Sequence, residues 1–269
     1  IDNFKKFGFV NIETPILCYY EMLSDKYDKN NDILKEIYRL TDQGNRDLGL
    51  RYDLTVPFAK FIALNKNKIS FPFKRYEISK VFRDGPVKAG RDREFTQCDA
   101  DVVGIKGQYI EAELLTLFVK TFKELNIDII IKYNSRKLMT GLIIESGISE
   151  ELVSEVTTII DKKDKLKTEE FNQMLLELGL TKKQIEKLNN YFQMNLFVLN
   201  QTLKDTNNEK IFKGLEEVNN LCKYLKQLEL DCCSFDITLA RGQNYYTGNV
   251  FEVYDKNKRI KGSIAAGGR

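Results

Sequence analysis

Residues 74–104 hold two stretches in which apolar or aromatic residues alternate with polar ones, flanking a segment that contains Gly85, Pro86 and Gly90. Alternation broken by Gly and Pro predicts a long β-hairpin. Successive strand side chains point to opposite faces. Arg75, Glu77, Ser79, Val81 and Arg83 therefore share one face of the first strand, with Tyr76, Ile78 and Phe82 on the other, and Arg93, Phe95, Gln97, Asp99 and Asp101 share a face of the second. Upstream, residues 3–16 read as the end of a helix and then a strand through Phe9, Val10 and Ile12, ending at Pro15, a residue tolerated at strand ends and edges. In residues 50–58, Asp53 and Thr55 alternate with Tyr52 and Leu54, which predicts a shared face at the end of a strand. Pro57 suits the first turn of a helix running on through Phe61 and Leu64.

The period changes after the hairpin. Ile110, Leu114, Leu117, Phe118 and Phe122 form an apolar stripe that predicts an amphipathic helix over 107–126, followed by a short apolar strand at 127–133 and a polar-to-helical transition at Asn134-Ser135-Arg136. Residues 146–230 are rich in Lys, Glu, Leu and Asn with helical periodicity, broken at Gly147 and Gly179. The charged run from Asp161 to Lys167 reads as a solvated helix face. Strand patterning returns over 235–254, where Phe235, Ile237, Leu239 and Arg241 would share a face. Gly242 and Gly248 bracket Asn244-Tyr245-Tyr246, so two strands joined by a short loop, a plain hairpin, account for the local pattern.

At 42% hydrophobic and 30% charged, the 269 residues suit a soluble globular protein with one large core or two domains. A net charge of +3 does not by itself imply nucleic-acid binding, although residues 74–94 concentrate seven Lys/Arg against four Asp/Glu. No apolar run is long enough to span a membrane, and no cleavable signal pattern is present. Cys18, Cys98, Cys222, Cys232 and Cys233 include no C-x-x-C pair, which favours free thiols in a reducing compartment. The chain contains no histidine, so Ser-His-Asp and Cys-His catalysis and His-ligated metals are excluded within it. It begins with Ile and stops after Gly267-Gly268-Arg269, which reads as a fragment.

The chemistry-bearing feature is the hairpin face, where an aromatic ring sits among guanidinium groups, an amide and acids. A solvated sheet face is the plain reading. The set also suits a nucleotide, with guanidinium forks for phosphates and a ring to stack on a base. Likewise, Asp-x-Thr ahead of a helix is an ordinary N-terminal cap, but a carboxylate beside a hydroxyl also suits an ammonium, which donates three hydrogen bonds and accepts none.

The hairpin resembles motif 2 of class II aminoacyl-tRNA synthetases, the histidyl enzymes most closely. The resemblance rests on Phe82-Arg83, then residues 90–95 (GRDREF) and Gln97-Cys98-Asp99-Ala100-Asp101. Residues 3–16 are similar to the end of motif 1, which the family uses at its dimer interface. Arg241-Gly242, Tyr245-Tyr246-Thr247-Gly248 and Val250-Phe251-Glu252 resemble the family's histidine-specific motif, and Gly267-Gly268-Arg269 is similar to the start of motif 3. The implied fold is α+β, a mostly antiparallel sheet flanked by helices with an α-helical insertion. Its parts would be residues 1–145 and 231–269 for the catalytic core and 146–230 for the insertion, which in the family helps grip the tRNA acceptor arm. An anticodon-binding domain would lie beyond this chain.

The same resemblance implies an activity and its residues. The family activates L-histidine with ATP to histidyl-adenylate and pyrophosphate, then transfers histidine to tRNA(His). Arg83 and Arg241 would act at the α-phosphate, with Arg83 also on the substrate carboxylate. Asp53, Leu54 and Thr55 would receive the amino group, with Gln97, Asp101, Tyr245 and Tyr246 around the imidazole. Arg91, Arg93 and Arg269 are the candidates for the ATP tail, and Phe95 for adenine. Magnesium would accompany ATP without a dedicated protein site. A cytoplasmic homodimer is expected. Two departures stand out: Gly85 where motif 2 often has glutamate, with the acid displaced to Asp84, and Asn244 where aspartate is frequent. The alternatives are a non-catalytic paralogue, such as the synthetase-like regulatory subunit of histidine biosynthesis or the synthetase-like domain of a stress-sensing kinase, and a class II synthetase for another amino acid. The Arg241–Glu252 motif speaks against the last.

Overall fold

A short helix, α1 (Asp2–Lys6), leads into β1 (Val10–Asn11), as the helix-then-strand pattern of residues 3–16 predicts. The computed structural model describes residues 1–25, 32–87, 92–240 and 245–269. They divide into two units, 1–106 and 107–269.

In the first unit, β2 (Leu17–Tyr19), α2 (Tyr20–Ser24), α3 (Asp32–Glu36), β3 (Arg39–Thr41) and β4 (Asp47–Leu50) precede α4 (Thr55–Asn65). An antiparallel sheet of order β2-β4-β3 covers a small core of Cys18, Leu23, Ile37, Tyr52 and Val56. The predicted hairpin is β5 (Phe73–Phe82) and β6 (Glu94–Val103), with β1 parallel to β5 along its other edge. The register sets Arg75 against Asp101, Glu77 against Asp99, Ser79 against Gln97 and Val81 against Phe95. Directly opposed residues project to the same side of a sheet, so the two polar faces read from the sequence merge into one. One expectation shifts. Asp53 and Thr55 are not at a strand end, because β4 stops at Leu50 and Thr55 is the first residue of α4. The Asp53 carboxylate accepts from the Val56 N–H at 2.9 Å, so it satisfies a helix-start donor and bends the chain out of strand geometry.

The second unit opens with α5 (Tyr109–Glu124), β7 (Ile129–Ser135) and α6 (Arg136–Glu145), close to the predicted positions. Ser135 ends the strand and caps the helix by accepting from the Leu138 N–H. The helical block comprises α7 (Val153–Ile160), α8 (Thr168–Glu177), α9 (Lys182–Phe192), α10 (Leu196–Thr202) and α11 (Glu209–Gln227). Thr181, Asn195 and Asn208 cap α9, α10 and α11 through their side chains. The run from Asp161 to Lys167 is not a helix face. It links α7 to α8 through a 3-10 turn at Lys163–Lys165, and Asp164 lies 3.5 Å from Lys132.

The sheet of this unit has the order β10-β9-β7-β8, with β8 (Cys233–Phe235), β9 (Asn249–Asp255) and β10 (Ser263–Gly268). β8 and β9 do not form the plain hairpin that their sequence pattern allows. β7 lies between them, parallel to β8 and antiparallel to β9. Asn134 holds this arrangement by donating its side-chain amide to the carbonyls of Ile237 and Leu239, both at 3.0 Å. Taken together, the described strands pair mostly antiparallel, with helices flanking them, in an α+β fold.

Helix α11 packs against α5, α6 and β7 within the main hydrophobic core, which includes Leu138, Leu142, Ile211, Leu215 and Phe251. The approach to α6 is closest at Gly214, where an added Cβ would lie 2.3 Å from the backbone nitrogen of Leu138 and 2.5 Å from its Cα. Backbone cannot yield as a side-chain tip can, so Gly214→Ala is expected to force the helices apart. The net loss is about 2 kcal/mol, despite the better helix propensity of Ala. Urea denaturation reads this directly, and an unchanged midpoint would contradict the close packing.

Candidate active site

The polar face of the hairpin is built on two fully buried guanidinium groups. Arg51 and Arg75 are each 0% exposed and share Glu77, itself 0% exposed. Arg51 donates to Glu77 Oε1 at 2.8 Å, to the Thr14 carbonyl at 2.6 Å, to Ser79 Oγ at 2.5 Å and to the Lys80 carbonyl at 2.9 Å. Arg75 donates to Glu77 Oε2 at 2.5 Å, to Asp101 Oδ2 at 2.6 Å and to the Leu54 carbonyl at 3.0 Å, and lies 4.6 Å from the Phe58 ring centroid. Thr14 closes the network with its N–H and hydroxyl on Glu77 at 3.1 and 2.9 Å. Buried charges persist where they are paired and hydrogen-bonded on several sides, and here the pairing fastens the 52–55 segment to the hairpin.

Above this base lies a cluster of acids. Asp53 is 2% exposed. Burial pushes the Asp101 carboxyl up to about 6, against the pull of Arg75 and with Asp53 and Glu77 adding to the rise. Burial and the neighbouring Asp101 push Asp99 up to about 7. Both acids thus hold their protons more tightly than free carboxyls do, chiefly because burial disfavours the charged form. Gln97 donates its amide to Asp99 at 3.1 and 3.4 Å, and its buried Oε1 has no hydrogen-bond partner among the described residues.

Arg83 extends the same surface. Its Nε donates to the Tyr52 carbonyl at 3.1 Å, and its guanidinium lies 5.1 Å from the Phe95 ring centroid. Leu54 and Asp101 are thus held by the Arg75 network, while the Gln97–Asp99 pair and the Arg83–Phe95 contact lie on the same hairpin, and Asp53 and Thr55 flank Leu54 in the chain. Arg93 is exposed at its margin, where Nε donates to the Gly85 carbonyl at 3.3 Å and lies 3.9 Å from Asp84. Gly85 thus offers a carbonyl, with the displaced acid Asp84 as a loose partner. Arg91, Arg241 and Asn244 lie outside the described residues.

In the second unit, the rings of Tyr245 and Tyr246 meet edge-on, 4.7 Å between centroids. Tyr246 packs over Gly268, where an added Cβ would come within 2.8 Å of its ring. The Arg269 carbonyl accepts from the N–H groups of Thr247 and Gly248 at 2.6 and 3.0 Å, so the tyrosine loop is stitched to the end of β10. The Arg269 guanidinium is engaged within its own unit. It forms a two-pronged pair with Glu111 at 2.7 and 2.8 Å and donates to the Gly107 carbonyl at 2.7 Å. Sequence reasoning passed over Arg51, Asp99 and Glu111 as site residues. Asp99 was readable in principle, since it lies between Gln97 and Asp101 on a period of two.

Comparison with known proteins follows the same outline. A family model described as histidyl-tRNA synthetase matches residues 1–269. The chain is 43% identical over 270 residues to histidine–tRNA ligase 1 of Bacillus cereus, covering 100% of this chain and 63% of that protein. Among solved structures, the histidyl-tRNA synthetase of a Nostoc species superposes with a TM-score of 0.83 at 30% identity, covering 99% of this chain and 62% of that one. A Bacillus halodurans protein titled ATP phosphoribosyltransferase regulatory subunit/histidyl-tRNA synthetase superposes with a TM-score of 0.84 at 22% identity, a likeness of fold alone. The chain spans less than two thirds of the length of the curated relatives it matches, 63% in the Bacillus cereus case. By the match along its whole length, the chain belongs to the histidyl-tRNA synthetase family.

Proposed function

We propose that this chain supplies the catalytic part of a histidine–tRNA ligase, which activates L-histidine with ATP and passes it to the 3' end of tRNA(His). The observation that carries the reading is the polar hairpin face and the 52–55 segment fastened to it, where acceptors cluster at Asp53, Gln97 and Asp101 in the same unit as the Arg83 guanidinium. Such a set suits a zwitterionic amino acid whose N–H groups need acceptors and whose carboxylate needs a cation. In activation, a carboxylate oxygen of histidine attacks the α-phosphorus of ATP, and the bond to the bridging oxygen breaks with its electron pair leaving on pyrophosphate. The nucleophile is already anionic, so no general base is needed. Catalysis then rests on positioning and on fixed positive charge at the phosphate.

Within this reading Arg83 and Arg241 act at the α-phosphate, Asp53 and Thr55 receive the ammonium, and Asp101 and Tyr246 receive the imidazole nitrogens with Gln97 and Tyr245 beside them. Arg91 and Arg93 take the outer phosphates, and Phe95 the adenine. Arg269 joins them only by sharing or exchanging its pairing with Glu111. Magnesium enters as the counter-ion of ATP. A site whose buried polar groups are left unpaired by the wrong amino acid rejects it by roughly 10⁴-fold or more. Assembly as a homodimer fits the apolar residues left exposed in the first unit, Val10 at 48%, Leu17 at 49% and Tyr19 at 50%. The cytoplasm is the expected compartment.

Because a regulatory subunit can share the fold, activity has to discriminate. ATP–pyrophosphate exchange by the full-length protein, with each amino acid supplied separately, is expected to respond to histidine alone. Histidine binding without exchange would favour the regulatory reading, and exchange driven by another amino acid would overturn the specificity.

A further inference from the structure

The Gln97 amide is bonded at one end and, among the described residues, has no partner at the other. Its Nε2 is engaged by both carboxylate oxygens of Asp99, while Oε1 is buried and has no hydrogen-bond partner among the described residues. A primary amide has one accepting end and one donating end, so whichever end Asp99 takes decides which end is left for a ligand. An ionised carboxylate only accepts. It must take the NH2 group, and the carbonyl oxygen is then turned outward. A buried carbonyl without a donor is unfavourable until a ligand supplies an N–H.

We propose that Asp99 is a positioning residue for amino-acid recognition: by fixing the Gln97 amide it leaves Oε1 as an acceptor on the hairpin face that also carries Asp101, where it selects an N–H group of bound histidine. The inference rests on the histidine-binding reading above. It makes Asp99 a conditional device. The groups around it are Asp101 on β6, Arg75 and Glu77 on β5, and Asp53 ahead of α4. Burial and Asp101 place its carboxyl at about 7. Once protonated, Asp99 is no longer restricted to accepting: its O–H can donate to Oε1, and the fraction of Gln97 held in that orientation turns Nε2 toward the ligand and sets donor against donor. Ionised Asp99 therefore supports binding, and its contribution grows as pH rises through neutrality.

The test compares histidine affinity of the full-length wild type and the Asp99→Asn variant across pH, by calorimetry and by KM in the exchange assay. Because histidine itself titrates in this range, affinities are compared at each pH after correction for the protonation state of the free amino acid. The variant is expected to match wild type near pH 6 and to bind about tenfold more weakly near pH 8, with the loss in KM rather than kcat. Asp99→Glu, which keeps an accepting carboxylate, is expected to retain the pH dependence. A double-mutant cycle separates positioning from direct charge. In a Gln97→Met background, Asp99→Asn is expected to cost less than about threefold. A pH-independent ratio, or the full loss persisting without Gln97, would overturn the positioning role. If the wild type itself fails to bind histidine, the proposed function falls and this inference falls with it. If the wild type binds and Asp99→Asn binds equally at every pH, only the role of Asp99 falls. Should Asp99→Asn fail to fold, Asp99→Glu against wild type and Gln97→Met still decide: a Glu variant that loses the pH dependence while folding normally refutes the proposal.

Discussion

Glu77→Ala is expected to destabilise the first unit by about 3–5 kcal/mol, the range for removing one member of a buried ion network. The reason is specific to the geometry. Glu77 is bonded by Arg51, Arg75 and Thr14 at once, and all the charged members are 0% exposed. Removing the carboxylate leaves two guanidinium groups in a low-dielectric setting with only carbonyls, hydroxyls and Asp101 to turn to. Asp101 is also a proposed ligand contact, so the damage would spread to substrate binding. Chemical denaturation at neutral pH measures the loss, and Glu77→Gln, which keeps the shape and one acceptor, should lie between wild type and Ala. A loss under about 1 kcal/mol for Glu77→Ala would place the weight of this unit elsewhere.

Arg83→Ala should act on rate with little effect on folding. A guanidinium fixed by the Tyr52 carbonyl and the Phe95 ring is already aimed before the substrate arrives. Preorganised charge of this kind typically contributes about 10²–10³ in rate. Histidine-dependent pyrophosphate exchange is expected to fall by about that factor in kcat/KM. Arg83→Lys should recover little, since an ammonium has no planar fork to hold the carbonyl, the ring and a phosphate together. A loss of less than about tenfold would remove Arg83 from the phosphate.

The hairpin was legible in the sequence because it satisfies a period of two on both strands, and the faces so derived are the ones that meet across the β5–β6 register. The start of α6 was legible because Ser135 caps it after a polar transition, whereas the capped starts of α9, α10 and α11 at Thr181, Asn195 and Asn208 were not read within the helical block. The burial of Arg51 was not. Composition and period treat arginine as a surface residue, and its partners include Thr14 and Ser79, brought in by other elements. The pairing of β8 and β9 misleads for a related reason. Neighbouring strands in sequence favour a hairpin, but an upstream strand held by Asn134 comes between them. The role of Asp53 is legible only in part, since a capping carboxylate and an ammonium-binding carboxylate look alike in sequence.

The position of β7 also sets an order of assembly. Its strand neighbours are β8 and β9, and its Asn134 is tied to carbonyls 103 and 105 residues further along the chain. Every sheet of the first unit, by contrast, closes within residues 1–106. Contacts between distant residues require a long loop to close before they stabilise anything. During synthesis from the N-terminus, the hairpin and its buried ion network can form while β7 and α6 still wait, with apolar surface uncovered, for α11 and the last three strands. The helical block between them has to be in place before this sheet closes, and because it supplies much of the main core, loosening it would slow the folding of the second unit and destabilise it together.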